Sequence, residues 1–257
     1  MSRIDELETT LHASHARLDA AAGSLTAEQV SAGSYCRDWS IAQVLSHIGS
    51  GAAIFRLLLD AGLNNADAPG REAFEPIWDV WNAMSPEEQQ QSALIADAAF
   101  LEHVDSIPAD RLESLQMTLF GTPADAARLL SMRLNEHAIH TWDIVVMSDP
   151  AATLPEDAVA QMVDGLGPLA ARSGKTDGTP LEVTMITTDP ERTFRLSVAD
   201  AVSLAPADPD GTTATVTLPA EALIRLVYGR LDPDHTPAEV SVSGVDLNAL
   251  RAVFQGF

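Results

Sequence analysis

Arg133-Leu134-Asn135-Glu136-His137-Ala138-Ile139-His140-Thr141-Trp142-Asp143 decides how this chain reads. Arg133, Glu136, His140 and Asp143 are separated by steps of three, four and three, so a helix gathers them into one polar stripe. Leu129, Leu130, Leu134, Ile139 and Ile144 border that stripe, which sets it apart from a solvated face. Charge held in such surroundings must be paired or must coordinate a metal. Glu136 and His140 are candidate ligands, and Asp143 is placed to accept from a ligand's ring N–H. His137 falls about 100° round the helix from Glu136 and is expected to be more exposed.

A second stretch, Trp39-Ser40-Ile41-Ala42-Gln43-Val44-Leu45-Ser46-His47, precedes it by nearly ninety residues. Ser40 and Gln43 have the spacing of a capping box, with Trp39 and Val44 placed as a hydrophobic staple. The apolar stripe continues through Leu45, Ile48, Phe55, Leu58 and Leu59 to a stop at Asp60-Ala61-Gly62. His47 lies at the edge of this inward face. Two imidazoles and one carboxylate are a common ligand set for catalytic zinc and leave a fourth position open. His15 is a rival to His47: it falls on the apolar stripe of a helix over 3–22 formed by Ile4, Leu7, Leu11 and Leu18, whereas His12 does not. Spacing does not choose between His15 and His47.

The remaining signals divide the chain. Residues 63–84 read as a loop plus one short helix. Ser85-Pro86-Glu87-Glu88 starts a long helix that runs to about Ile107, and Thr122-Pro123-Ala124-Asp125 starts another that runs to about Met147. Four long helices with short connections make a helical bundle over residues 1–150. Ser148 to Pro155 reads as a linker. A helix over 156–172 follows, and then the period changes. Residues 181–187 and 193–198 alternate as a hairpin around the turn at 188–191. Short strands at 201–204 and 214–218, a helix at 219–228 and a closing helix at 246–254 complete an α+β domain over 156–257.

The formal net charge is −22, from 37 acids against 15 bases, of which only Lys175 is a lysine. Such a field repels nucleic acid and anionic membrane surfaces. No run approaches the roughly 20 apolar residues of a membrane span, and MSRIDELETT lacks the apolar core of a secretory signal. The single cysteine, Cys36, excludes an intramolecular disulfide and reads as structural. A cytoplasmic protein with no nucleic-acid or membrane partner is expected.

The two stretches together resemble a known family. Trp39, Ile41, Val44 and His47 are similar to the W-x-V-x-x-V-x-x-H segment of the mycothiol-dependent maleylpyruvate isomerase family, and Arg133 to Asp143 resembles its R-x-x-E-x-x-x-H-x-x-D helix. Asp38 stands where many relatives have glycine. The resemblance implies a DinB-like four-helix bundle joined to a smaller sterol-carrier-like α+β domain. It implies a divalent metal, usually zinc, on His47, Glu136 and His140, and so favours His47 over His15. It further implies mycothiol as thiol cofactor and arginines that bind anionic groups. Arg230, Arg225 and Arg56 are the candidates for that binding, with Arg71 and Arg133 in addition. Tyr228-Gly229-Arg230 resembles a cleft position, although Gly-Arg after a helix also reads as a C-cap with a favourable cation. Glu136, Arg133 and Asp143 are the catalytic candidates.

The expected chemistry is attack of a metal-stabilised thiolate on a small electrophile, either cis–trans isomerisation of a maleylpyruvate-type acid or S-transfer. Two rival classes use the same residues: a non-haem iron(II) enzyme of oxygen chemistry, and a non-enzymatic, metal-stabilised protein that captures thiol conjugates.

Overall fold

The computed structural model describes residues 2–209 and 211–256. It divides into two compact units, residues 1–152 and 153–257. Four long helices build the first: α1 (Arg3–Ala22), α3 (Ile41–Leu63), α5 (Pro86–Asp105) and α7 (Ala126–Val145). Between them stand α2 (Ala27–Ser31), α4 (Arg71–Asn82) and α6 (Ala109–Glu113). The starts of α3 and α5 are set locally. Ser40 accepts from the Gln43 N–H while Gln43 reaches back to the Ser40 N–H, and Ser85 and Glu88 repeat the arrangement. α3 packs on α5 and α7, and α1 packs on α7 and α5. Leu18, Val44, Leu45, Ile48, Trp81, Ala93 and Ile144 form a shared core. At Gly49 the helices close tightly: a β-carbon there would lie 2.2 Å from the Trp81 ring and 2.8 Å from the Ala93 Cα, so only glycine admits this approach. The expectation that no run approaches a membrane span is corrected: α3 is long and apolar enough to cross one by length and hydropathy, although in this fold its apolar face is the centre of the bundle.

Two further expectations about this unit are corrected. Residues 71–82 form a full twelve-residue helix despite Pro76, where a short one was expected. Thr122-Pro123-Ala124-Asp125 is not the first turn of a helix. It is strand β2 (Thr122–Asp125), antiparallel to β1 (Gln116–Leu119). Phe120 and Gly121 both have positive φ, at 48° and 81°, which makes the two-residue loop that closes a hairpin. Asp125 is the actual N-cap of α7, accepting from the Arg128 N–H.

The second unit is an α+β layer. Strands β3 (Leu181–Thr188), β4 (Arg192–Val198), β5 (Val202–Pro206), β6 (Thr215–Pro219) and β7 (Ser241–Ser243) form one sheet in the order β5-β4-β3-β6-β7. Among the described residues only the β3–β6 pair is parallel. Met185 of β3 lies between Phe194 of β4 and Val216 of β6, and all three are buried. The helix expected over 156–172 is broken into α8 (Glu156–Met162), a 3₁₀ turn at Val163–Gly165 and α9 (Leu166–Ser173). Pro168, which has no N–H to donate, is accommodated in the first turn of α9. α10 (Ala220–Val227) is buried on every side, and α11 (Leu247–Val253) closes the unit.

Candidate metal centre

The loop before α3 and the C-terminal half of α7 build one site together. Loop and helix are fastened by the Tyr35 N–H, which donates to the Asp143 carbonyl at 3.0 Å, and by an edge-on contact of Tyr35 with Trp142. The loop then sends Trp39 forward, where its ring meets that of His47 at 5.5 Å, and sends Cys36 behind His140.

At the front, three donors converge. His47 Nε2 lies 2.9 Å from Glu136 Oε2, and His140 Nε2 lies 3.6 Å from the same oxygen. The His47 and His140 rings meet edge to face at 4.7 Å. One ligand atom from each residue falls within 4.8 Å of the other two. The His47 and Glu136 side chains are 38% and 40% exposed and His140 is 12% exposed, so the group opens to solvent on one side.

His140 is held from behind. Its Nδ1 lies 2.8 Å from Asp143 Oδ2, and Asp143 is fully buried. The Cys36 thiol donates to the same Oδ2 at 3.0 Å. A ring that gives its Nδ1–H to a carboxylate turns its Nε2 lone pair outward, which is how metal-bound histidines are fixed. The surroundings also set the charges of the two groups. Burial pushes the Glu136 carboxyl up, but hydrogen bonds from His140 and His47 outweigh it and hold the group well below the usual carboxylate range. Burial pushes His140 down, and hydrogen bonds with Asp143, Cys36 and Glu136 more than reverse this and raise it well above its ordinary value. A carboxylate held ionised between two imidazoles suits a divalent cation with nitrogen and oxygen ligands.

A second cluster was not foreseen. Asp97 of α5 is 2% exposed and accepts from Arg133 Nη2, His137 Nε2 (2.8 Å) and His15 Nδ1 (2.7 Å). Ser14 bonds the other nitrogen of His137 at 2.8 Å. A neutral His137 satisfies both contacts, with Nε2–H given to Asp97 and Nδ1 accepting the Ser14 hydroxyl. Burial pushes His137 down, which agrees. The expectation that His137 is exposed is therefore corrected: it is 1% exposed, because α1 and α5 bring Ser14 and Asp97 to meet it. The signal for Asp97 was present in the sequence. It interrupts the otherwise apolar face of α5 formed by Ala93, Phe100, Leu101 and Val104.

The remaining candidates are placed as follows. His15 faces Asp97 and not the triad. Arg133, a catalytic candidate, is 1% exposed and paired with Asp97. Asp143, the other candidate beside Glu136, touches His140 from behind. Arg56 pairs with Asp60 at 3.9 Å, about 13 Å along α3 from His47 by helix rise. Arg71 pairs with Glu75 and lies over the Trp78 ring. In the second unit, Arg225 makes a two-pronged pair with Glu221 at 2.6 and 2.8 Å and also donates to the His235 carbonyl. Arg230 is buried and donates to the Tyr228 carbonyl. Gly229 has φ of 74°, so Tyr228-Gly229-Arg230 does end α10 with a left-handed residue.

Comparison with known proteins agrees with this architecture. The family model for the mycothiol maleylpyruvate isomerase N-terminal domain matches residues 11–145, and the MDMPI C-terminal domain model matches residues 148–251. A crystal structure of the mycothiol-dependent maleylpyruvate isomerase superposes with a TM-score of 0.70 at 15% identity, covering 96% of this chain and 95% of that one. The crystal structure of a histidine-to-alanine variant of that enzyme gives 0.69, with the same identity and coverage. These likenesses show the shared fold. No curated protein matches the sequence. With both domain models together spanning nearly the whole chain, this protein belongs to the mycothiol-dependent maleylpyruvate isomerase family.

Proposed function

We propose that the chain is a thiol-dependent enzyme that binds a divalent metal, zinc by preference, on His47, Glu136 and His140 and uses mycothiol against a small electrophile. One observation carries this reading: three donor atoms converge on an open side while the back of His140 is committed to Asp143. A divalent cation there would supply positive charge that stabilises a thiolate at neutral pH. The chain's own thiol does not compete, because Cys36 stands behind His140, hydrogen-bonded to Asp143. The nucleophilic sulfur must then come from outside, and family membership points to mycothiol. Glu136 and the two imidazoles would hold the cation, Asp143 orients His140, and the Trp39 ring packs beside that of His47. Two outcomes fit this arrangement: isomerisation of a maleylpyruvate-type cis enoyl acid, and S-transfer. Isomerisation is the reading we carry forward, because the structural relatives are named for that reaction.

Calorimetric titration with mycothiol tests it, on metal-loaded protein, on metal-free protein and on Glu136→Gln. Binding should require the metal and weaken in the variant. Equal binding without metal would overturn thiolate stabilisation. Oxygen uptake with no thiol binding would replace the reading with iron(II) chemistry.

A further inference from the structure

One charged group reaches both helices that carry the triad. Arg133 stands on α7 one turn before Glu136. Its Nη2 donates to Asp97 of α5, and its guanidinium lies over the Phe100 ring at 5.8 Å. On its other side it meets α3. A β-carbon at Gly51 would come within 3.2 Å of Arg133 Nη1, and among the described residues it would approach no other heavy atom beyond its own helix surroundings within 4 Å. Gly51 follows His47 by four residues, so it occupies the same face of α3 one turn on. The guanidinium is thus wedged between α3, α5 and α7, one turn along α3 and α7 from the triad residues. Its Nε has no hydrogen-bond partner among the described residues, so Asp97 and the α3 surface set its position.

The hold on α7 has two points. Arg133 and His137, four residues apart, both reach Asp97. Two attachments on one face fix the rotation of a helix about its axis and its height against its neighbours. The adjacent face carries Glu136 and His140. Ligand atoms lie about 6 Å from a helix axis, so a 20° rotation would move them by about 2 Å. Metal–ligand distances tolerate only about 0.2 Å.

We infer that Asp97 and Arg133, with Gly51 as the seat for the guanidinium, are positioning residues for the triad: they set α7 against α3 so that Glu136 and His140 meet His47. The inference rests on the metal reading of the triad proposed above. Gly51→Ala separates positioning from stability. Alanine has the higher helix propensity, so the thermal midpoint of the metal-free variant should hold or rise. Its one close new contact is Arg133, so any loss at the triad must pass through that side chain.

The experiment is zinc titration against a chelating indicator for the unaltered protein, Gly51→Ala and Asp97→Asn, at a temperature where circular dichroism shows each to be folded. The absorption spectra of the cobalt(II) forms are recorded alongside. Zinc affinity should fall at least tenfold in both variants, with an altered cobalt spectrum, although Gly51→Ala keeps its thermal midpoint. Unchanged affinity and spectrum in Gly51→Ala would overturn the inference, whether or not Asp97→Asn folds. If the unaltered protein binds no zinc, the metal reading fails first and this inference with it, and the flat reference curve marks that case apart.

Discussion

The bundle holds two clusters with nearly the same residues and opposite fates. His47, Glu136 and His140 are two imidazoles about a carboxylate, and so are His15, Asp97 and His137. The first opens to solvent, with Glu136 40% exposed. The second is sealed, with Asp97 2% exposed, and it already contains a cation, the Arg133 guanidinium. A buried carboxylate needs a positive partner. In the sealed cluster the chain supplies one and the donors are consumed. In the open cluster no arginine or lysine is paired to Glu136 among the described residues, and the donors stay available. Donor type alone does not tell the two clusters apart; the source of the positive charge does.

The largest effect should come from the ligands. His47→Ala or His140→Ala should abolish stoichiometric metal in protein purified without an affinity tag, while circular dichroism shows the helical fold intact. Retention of one metal per chain in both would remove the distinction between the clusters. Next comes Asp97→Ala. It strands a buried guanidinium, so unfolding in urea should show a loss of about 3–5 kcal/mol. A loss under about 1 kcal/mol would mean that Arg133 finds another partner and the cluster is not sealed. Asp143→Ala frees the His140 ring, and metal affinity should drop roughly 10- to 100-fold with little change in stoichiometry at saturating metal.

The smallest effect concerns pH. The hydrogen bond to Asp97 raises His15 above its ordinary value, against an opposing push from burial. A raised folded-state value means that the stabilisation is complete below the unfolded value of about 6.5 and fades as pH climbs through the folded one. The thermal advantage of the unaltered chain over His15→Gln should therefore be larger at pH 6 than at pH 9. An advantage that grows with pH would show that His15 does not share its proton with Asp97.

What could be read from the sequence followed the range of each interaction. The starts of α3 and α5 were legible because Ser40 with Gln43 and Ser85 with Glu88 settle them within one turn. Glu136 and His140 were legible as neighbours because helix geometry places them so. The β1–β2 hairpin was not, since Pro123 after Thr122 mimics a helix start and the competing pairing with Thr118 across Phe120-Gly121 wins only in the folded chain. The sealed cluster was hidden for the same reason. Asp97 lies 82 residues from His15 and 40 from His137, and a helical wheel of α7 gives the direction of His137 without saying what stands there. Arg133 shared the stripe with Glu136 and so looked like part of the same site, although its length carries its charge to the other cluster.

The most direct test of the central claim is optical. Cobalt(II) is loaded in place of the proposed zinc, and mycothiol is added to the unaltered protein and to His140→Ala while the near-ultraviolet absorption is followed. A thiolate-to-cobalt band should grow to saturation at one thiol per chain in the unaltered protein and be absent in the variant. A cobalt form whose spectrum ignores mycothiol, or a band of equal strength without His140, would contradict it.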